Sequence, residues 1–115
     1  MTVEPDPHHP IIKDPWTYHI TDFHYHLDQD SWEGAYIDMT LVKEAIVRRL
    51  RFWRPVDLEI ENGFPVPTSG MVILDVRSRQ MEGIGIHVAD VEASYGKVTF
   101  WAYDVEDLDD GKERI

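Results

Sequence analysis

The sequence predicts a mostly β protein, an antiparallel sandwich or partly open barrel of about seven short strands with at most one helix. Three observations lead there. Apolar and polar residues alternate with period two from Val56 onward. Turn-forming residues recur about every eight to twelve positions. Aromatic and β-branched residues dominate the one stretch, 35–53, where a helix competes. At 115 residues and 13.4 kDa the chain has room for a single domain. Folding at this size buries roughly two-thirds of the extended chain's surface, enough for a core without staples. With no cysteine, disulfides and thiolate metal sites are excluded, and stability must come from packing.

Residues 1–15 carry Pro5, Pro7, Pro10 and Pro15 around His8-His9, a composition that favours extended, poorly paired backbone. They read as an arm. The β domain is expected over 16–105. Trp16, Tyr18 and Ile20 alternate, then Phe23, Tyr25 and Leu27 alternate in the opposite phase, so a bulge is expected near Thr21-Asp22. Asp28-Gln29-Asp30-Ser31 has turn chemistry, and Gly34 opens the next segment.

Two periodicities fit 35–53. Ile37, Leu41, Val42, Ile46 and Leu50 have helical spacing. Ala35, Ile37, Met39 and Leu41 alternate with Tyr36, Asp38 and Thr40 as in a strand, with Lys43-Glu44-Ala45 turning the chain into a second strand to Trp53. The strand reading is preferred because no capping residue with Glu three positions on opens the segment. Val56–Glu61 alternates cleanly and Asn62-Gly63 closes it. The prolines of Phe64–Gly70 make that stretch an exposed loop. Strands are expected at 71–76, 84–92 and 97–105, with a turn at Ala93–Gly96, and the acidic tail 106–115 is expected to fray.

Eleven Lys and Arg against 22 Asp and Glu give a net charge of −11. That sign disfavours nucleic acid and anionic membranes as partners and favours a basic one. Charged residues interrupt every apolar run before the length of a membrane span. The acidic, proline-rich N-terminus lacks the pattern of a signal peptide, so the cytoplasm is the expected compartment.

Four clusters could carry function. His24 and His26 fall on one face of a strand, about 7 Å apart at Cα. With Glu33 or His87 they could ligate zinc, nickel or iron; the alternative is a pair of solvent-facing histidines. His-x-His followed by Glu resembles the first half of the cupin metal pattern, although Glu33 lies further on than the cupin Glu. Arg48, Arg49, Arg51 and Arg54 concentrate positive charge in an acidic chain. They could bind an anion, meet the acidic face of a second copy in a homo-oligomer, or pair with the chain's own Asp57, Glu59 and Glu61. Asp104, Glu106, Asp107, Asp109 and Asp110 form an acidic run that is either a solvated end or a surface steering a basic partner. Of four tryptophans, Trp32 follows a turn, where it reads either as an interface anchor or as a core side chain. Gly83-Ile84-Gly85 lacks the third glycine of a phosphate loop, and no local hydrolase, metalloprotease or nucleotide-binding signature is present, so no cofactor is expected.

The order Leu50-Arg51-Phe52, then Leu58–Phe64 ending in Gly-Phe, then Ser94-Tyr95-Gly96 before Phe100-Trp101-Ala102, is similar to small bacterial β-domain proteins of the polymorphic-toxin immunity kind. The resemblance covers 17–105, and this chain departs from it at Gly63-Phe64-Pro65, which is followed by a second proline. It implies a cytoplasmic, non-enzymatic inhibitor that binds a toxin. The leading expectation is therefore a non-catalytic binding domain with a basic protein partner. Residues that would carry it are Trp32, the four arginines, Asp104, Glu106 and Asp107. The alternatives are a metal-binding protein and a homo-oligomeric structural protein.

Overall fold

A computed structural model describes residues 6–62, 64, 70–90 and 97–109. Eight strands form two four-stranded antiparallel sheets. The first sheet has the order β1 (His19–His26), β2 (Tyr36–Lys43), β3 (Ile46–Trp53), β8 (Asp104–Asp107). The second has the order β4 (Val56–Ile60), β7 (Val98–Ala102), β6 (Ile86–Asp90), β5 (Met71–Asp75). The architecture is a sandwich and not a closed barrel.

The strand reading of 35–53 holds. Lys43 pairs with Ile46 across a two-residue turn in which Glu44 adopts φ 55°, the left-handed conformation that such tight hairpins demand. The register then puts Ile37, Met39, Leu41, Leu50 and Phe52 on the inner face, all buried. The bulge is also found, as a register shift between Ile20 and Asp22. Trp16 does not join β1; it sits in a 3₁₀ turn, Pro15–Thr17. Phe52 and Phe100 meet edge to face at 5.1 Å where the inner faces of the two sheets come together.

Three expectations are corrected. The stretch 97–105 is two strands rather than one. β7 lies in the second sheet, and at Tyr103, whose N–H donates to the Trp53 carbonyl at 2.7 Å, the chain crosses to the first. The residue opposite is just as bent: Arg54 has φ 52° and Pro55 is buried, as β3 leaves the first sheet to become β4 in the second. Strands 3–4 and 7–8 thus form one ribbon folded across both sheets, the corner by which sandwich sheets connect.

The acidic residues from Glu106 do not fray either. Glu106 and Asp107 belong to β8, opposite Arg51 and Leu50, and the Leu108 N–H donates to the Arg49 carbonyl. Residues 110–115 lie outside the described residues, as do Gly63, the loop 65–69 and the turn at 93–96.

Finally, the arm is paired. His8 bridges Leu74, the His9 N–H donates to the Ile73 carbonyl, and the Asp75 N–H donates to the Pro7 carbonyl. Ile12 and Pro15 are buried behind it.

Candidate functional site

The outer face of the first sheet is built by register. Once the turn at Glu44-Ala45 fixes the β2–β3 hairpin, Asp38 must oppose Arg51 and Tyr36 must oppose Trp53. β1 and β8 extend the two rows, giving His24–Asp38–Arg51–Glu106 and, beside it, His26–Tyr36–Trp53–Asp104.

These side chains hold one another. His24 and His26 stack with ring centroids 6.4 Å apart, and His26 lies 4.7 Å from Tyr36. The Arg51 guanidinium covers the Tyr36 ring at 3.8 Å and approaches Trp53 at 5.5 Å, a cation–π arrangement. Asp38 forks that guanidinium, accepting from Nε at 2.8 Å and from Nη2 at 2.9 Å, and this hydrogen bonding raises the pKa of Arg51. The Trp53 indole N–H donates to Glu106 at 3.0 Å. The rings are therefore set in place before any partner arrives.

The corner of the ribbon continues this surface. Arg54 stacks over Tyr103 at 4.5 Å and reaches Glu33 at 3.2 Å. Glu33 is placed by a 3₁₀ turn, Trp32–Gly34, whose first N–H groups are met by Ser31: its Oγ accepts from the Glu33 N–H at 3.1 Å. Asp28 folds over the same turn, leaving no space for a β-carbon at Gly34. Trp32 protrudes from it, 49% exposed. Two clefts flank Tyr103 and Asp104. One, of about 240 Å³, is lined by Glu33, Trp53 and Arg54; the other, of about 310 Å³, by Arg77, Met81 and Ile84.

The arginines expected to form one basic patch are dispersed, each on an acid of its own chain. Arg51 takes Asp38 and Arg54 takes Glu33. Arg48 reaches from the inner side of β3 to Asp107 at 2.6 Å and to the Ile11 carbonyl at 2.6 Å, and Arg49 pairs with Asp109. The partners are not Asp57, Glu59 and Glu61. Arg48 and Asp107 are thus structural clasps, and Arg49 stands on the outer face one row beyond Arg51, opposite Thr40 and held by Asp109. Arg51, Arg54, Asp104, Glu106 and Trp32 gather around one face and corner.

The metal set is not assembled. His24 and His26 share a face as expected, but Glu33 is engaged by Arg54. His87 lies on the outer face of the other sheet, flat against Trp101 at 3.6 Å. Among the described residues no group of three His, Asp or Glu side chains is placed to hold a metal ion.

Tyr36, Trp53 and Tyr103 are members of the site that sequence reasoning did not single out. The hairpin turn contained the signal for the first two, because a two-residue loop dictates every cross-strand pair above it. No family model matches the chain, and neither a curated protein nor a solved structure matches it.

Proposed function

We propose that the protein is a non-catalytic binding domain that docks a basic protein partner on the outer face of its first sheet, with the corner around Arg54 and Tyr103 as the rim. The observation that carries this reading is the preordered stack His26–Tyr36–Arg51–Trp53. Tyrosine, tryptophan and arginine concentrate binding energy at interfaces, and side chains already fixed lose little entropy on contact.

The basic character of the partner follows from charge. Among the described residues seven of the nine Lys and Arg are salt-bridged within the chain, so the net −11 is left to acids such as Asp104 and Glu106, exposed beside the stack. Such a field speeds association with a cation and weakens as salt rises. In its sharpest form the reading is an immunity protein that neutralises a toxin in the cytoplasm, the form that the sequence resemblance implies.

The test is co-expression with the product of the adjacent gene. The two chains should co-purify, growth inhibition by that product should be relieved, and Trp53→Ala should weaken binding by about 30-fold or more, the loss typical of an interface hot spot. A neighbouring product that neither binds nor is neutralised rejects the toxin form. Binding untouched by Trp53→Ala rejects the face.

A further inference from the structure

A sandwich of two open sheets has four edge strands, and this one protects three of them. The arm covers β5 through the backbone bonds of Pro7 and His9. β4 is five residues long, carries Asp57 and Glu59, and is broken by a register shift with Asp57 at φ 55°. β8 has four residues, three of them acidic. Shortness, charge and bulges are the means by which natural sheets avoid pairing at their edges.

β1 has much less of this protection. It is eight residues long, its one formal charge is Asp22, and past the bulge its register with β2 is regular from Asp22 to His26. Among the described residues, none of its backbone groups is hydrogen-bonded on the side away from β2.

A second feature lies along the same edge. Phe23, Tyr25 and Leu27 share the core-facing side of the strand, yet Phe23 and Tyr25 are only half-buried and Leu27 is 70% exposed. Phe64 meets Phe23 edge to face at 5.5 Å and the Tyr25 hydroxyl donates to the Pro55 carbonyl at 3.5 Å, so the row is covered in part from the two ends of β4, and it is open at Leu27.

We propose that β1 is the edge through which two copies of this chain join. The strands pair antiparallel about a twofold axis, which turns the two first sheets into one continuous eight-stranded sheet. Phe23, Tyr25 and Leu27 of each copy close the flank of the other. A second copy suits this edge better than a foreign basic strand. A strand paired antiparallel with itself meets its own row of side chains on both faces, and the row here is apolar on one face and histidine-rich on the other. Two chains at −11 repel, and a strand with a single formal charge is where they can approach at least cost. The arrangement also sets the His24–His26 stacks of both copies next to each other, so the proposed docking face becomes double. It does not depend on that face being used.

Sedimentation of the full chain at tens of micromolar decides the matter. The expected result is a species of twice the 13.4 kDa chain mass. The double variant Thr21→Lys/Leu27→Lys alters two exposed side chains, and its dimer should be at least about tenfold weaker through like charges meeting across the axis. Glu59→Lys, on the β4 edge, should leave the dimer intact. Amide exchange over 22–27 in the unmodified chain should slow as concentration rises, a readout independent of any variant's folding. A monomer at that concentration, a dimer indifferent to Thr21→Lys/Leu27→Lys in a folded protein, or exchange that ignores concentration would each overturn the proposal. Partner capture that fails while dimerisation persists counts against the docking face alone.

Discussion

The two ends of the described chain are both bound to the sandwich, by different forces. The arm is held by backbone pairing with β5 and by the burial of Ile12 and Pro15. The acidic C-terminal strand is held beside β3 by charge as well as by its ladder: Arg48 on Asp107, Arg49 on Asp109 and the Trp53 indole on Glu106. Composition made both ends resemble loose tails. Proline only weakens a strand's donors, and an extended segment can still lend its carbonyls, as Pro7 does. Acids fray only where no cations await them, and β3 supplies several.

This contrast can be broken at the arm first. Ile12 is 3% exposed and packs with Ile73 and Tyr18 in the core cluster. Ile12→Ala should destabilise the protein by about 2–4 kcal/mol, by transfer and cavity costs together, read as a lowered midpoint in urea with little effect of salt.

Arg48 joins the two ends, since one guanidinium nitrogen serves both the Ile11 carbonyl and Asp107. Arg48→Met should cost about 1–2 kcal/mol, mostly from leaving a partly buried carboxylate unpaired. A double-mutant cycle with Asp107→Asn should recover much of that loss, and additivity of the two would show that the clasp is not formed.

Acid should act first at two histidines, His9 in the arm and His87 on β6, both lowered by burial. Burial lowers the pKa of His9 below its ordinary 6.5, against a smaller opposing pull from Asp75. The unfolded chain then binds the proton more readily than the folded one, so stability should fall as pH drops through and below about 6.5. The structure gives a reason: His9 Nδ1 accepts from the Ile11 N–H at 3.1 Å and cannot do so once protonated. Asp75, held down to about 2 by the forked Arg77, contributes at all higher pH and loses its contribution only between about 3.8 and 2. His9→Asn should shrink the first of these two windows to the share left by His87, whose pKa burial also lowers, and leave the second, as followed by thermal melts across pH.

The smallest effect belongs to the exposed pair Arg49–Asp109. Arg49→Gln should change stability slightly, and raising salt should remove even that difference, because solvated pairs are screened within about 10 Å at 0.1 M.

How far the sequence revealed this molecule depended on separation along the chain. The hairpin at 36–53 was legible because alternation and a two-residue turn are local. The corner at Tyr103 was missed, since 97–105 reads as one strand, although apolar Val98, Phe100 and Ala102 give way to Val105 in the opposite phase, the same kind of slip that disclosed the bulge near Thr21. The ion pairs that close the two ends were not legible. Arg48 lies 59 residues from Asp107 and Arg49 lies 60 from Asp109, and no periodicity links positions so distant. His87 was grouped with His24 by chemistry alone, and the sandwich puts them on opposite sides.

The folded ribbon also sets an order of assembly. The β1–β2–β3 meander pairs neighbours in sequence and can form as soon as it is made. Its fourth strand arrives some fifty residues later, with Asp104 opposite Trp53, and closing so long a loop is slow. β4 waits in the same way for β7. During synthesis the apolar side of the meander, with Ile37, Met39, Leu41, Leu50 and Phe52, therefore faces solvent until β7 and β8 have left the ribosome. The nascent protein is most prone to aggregate in that interval.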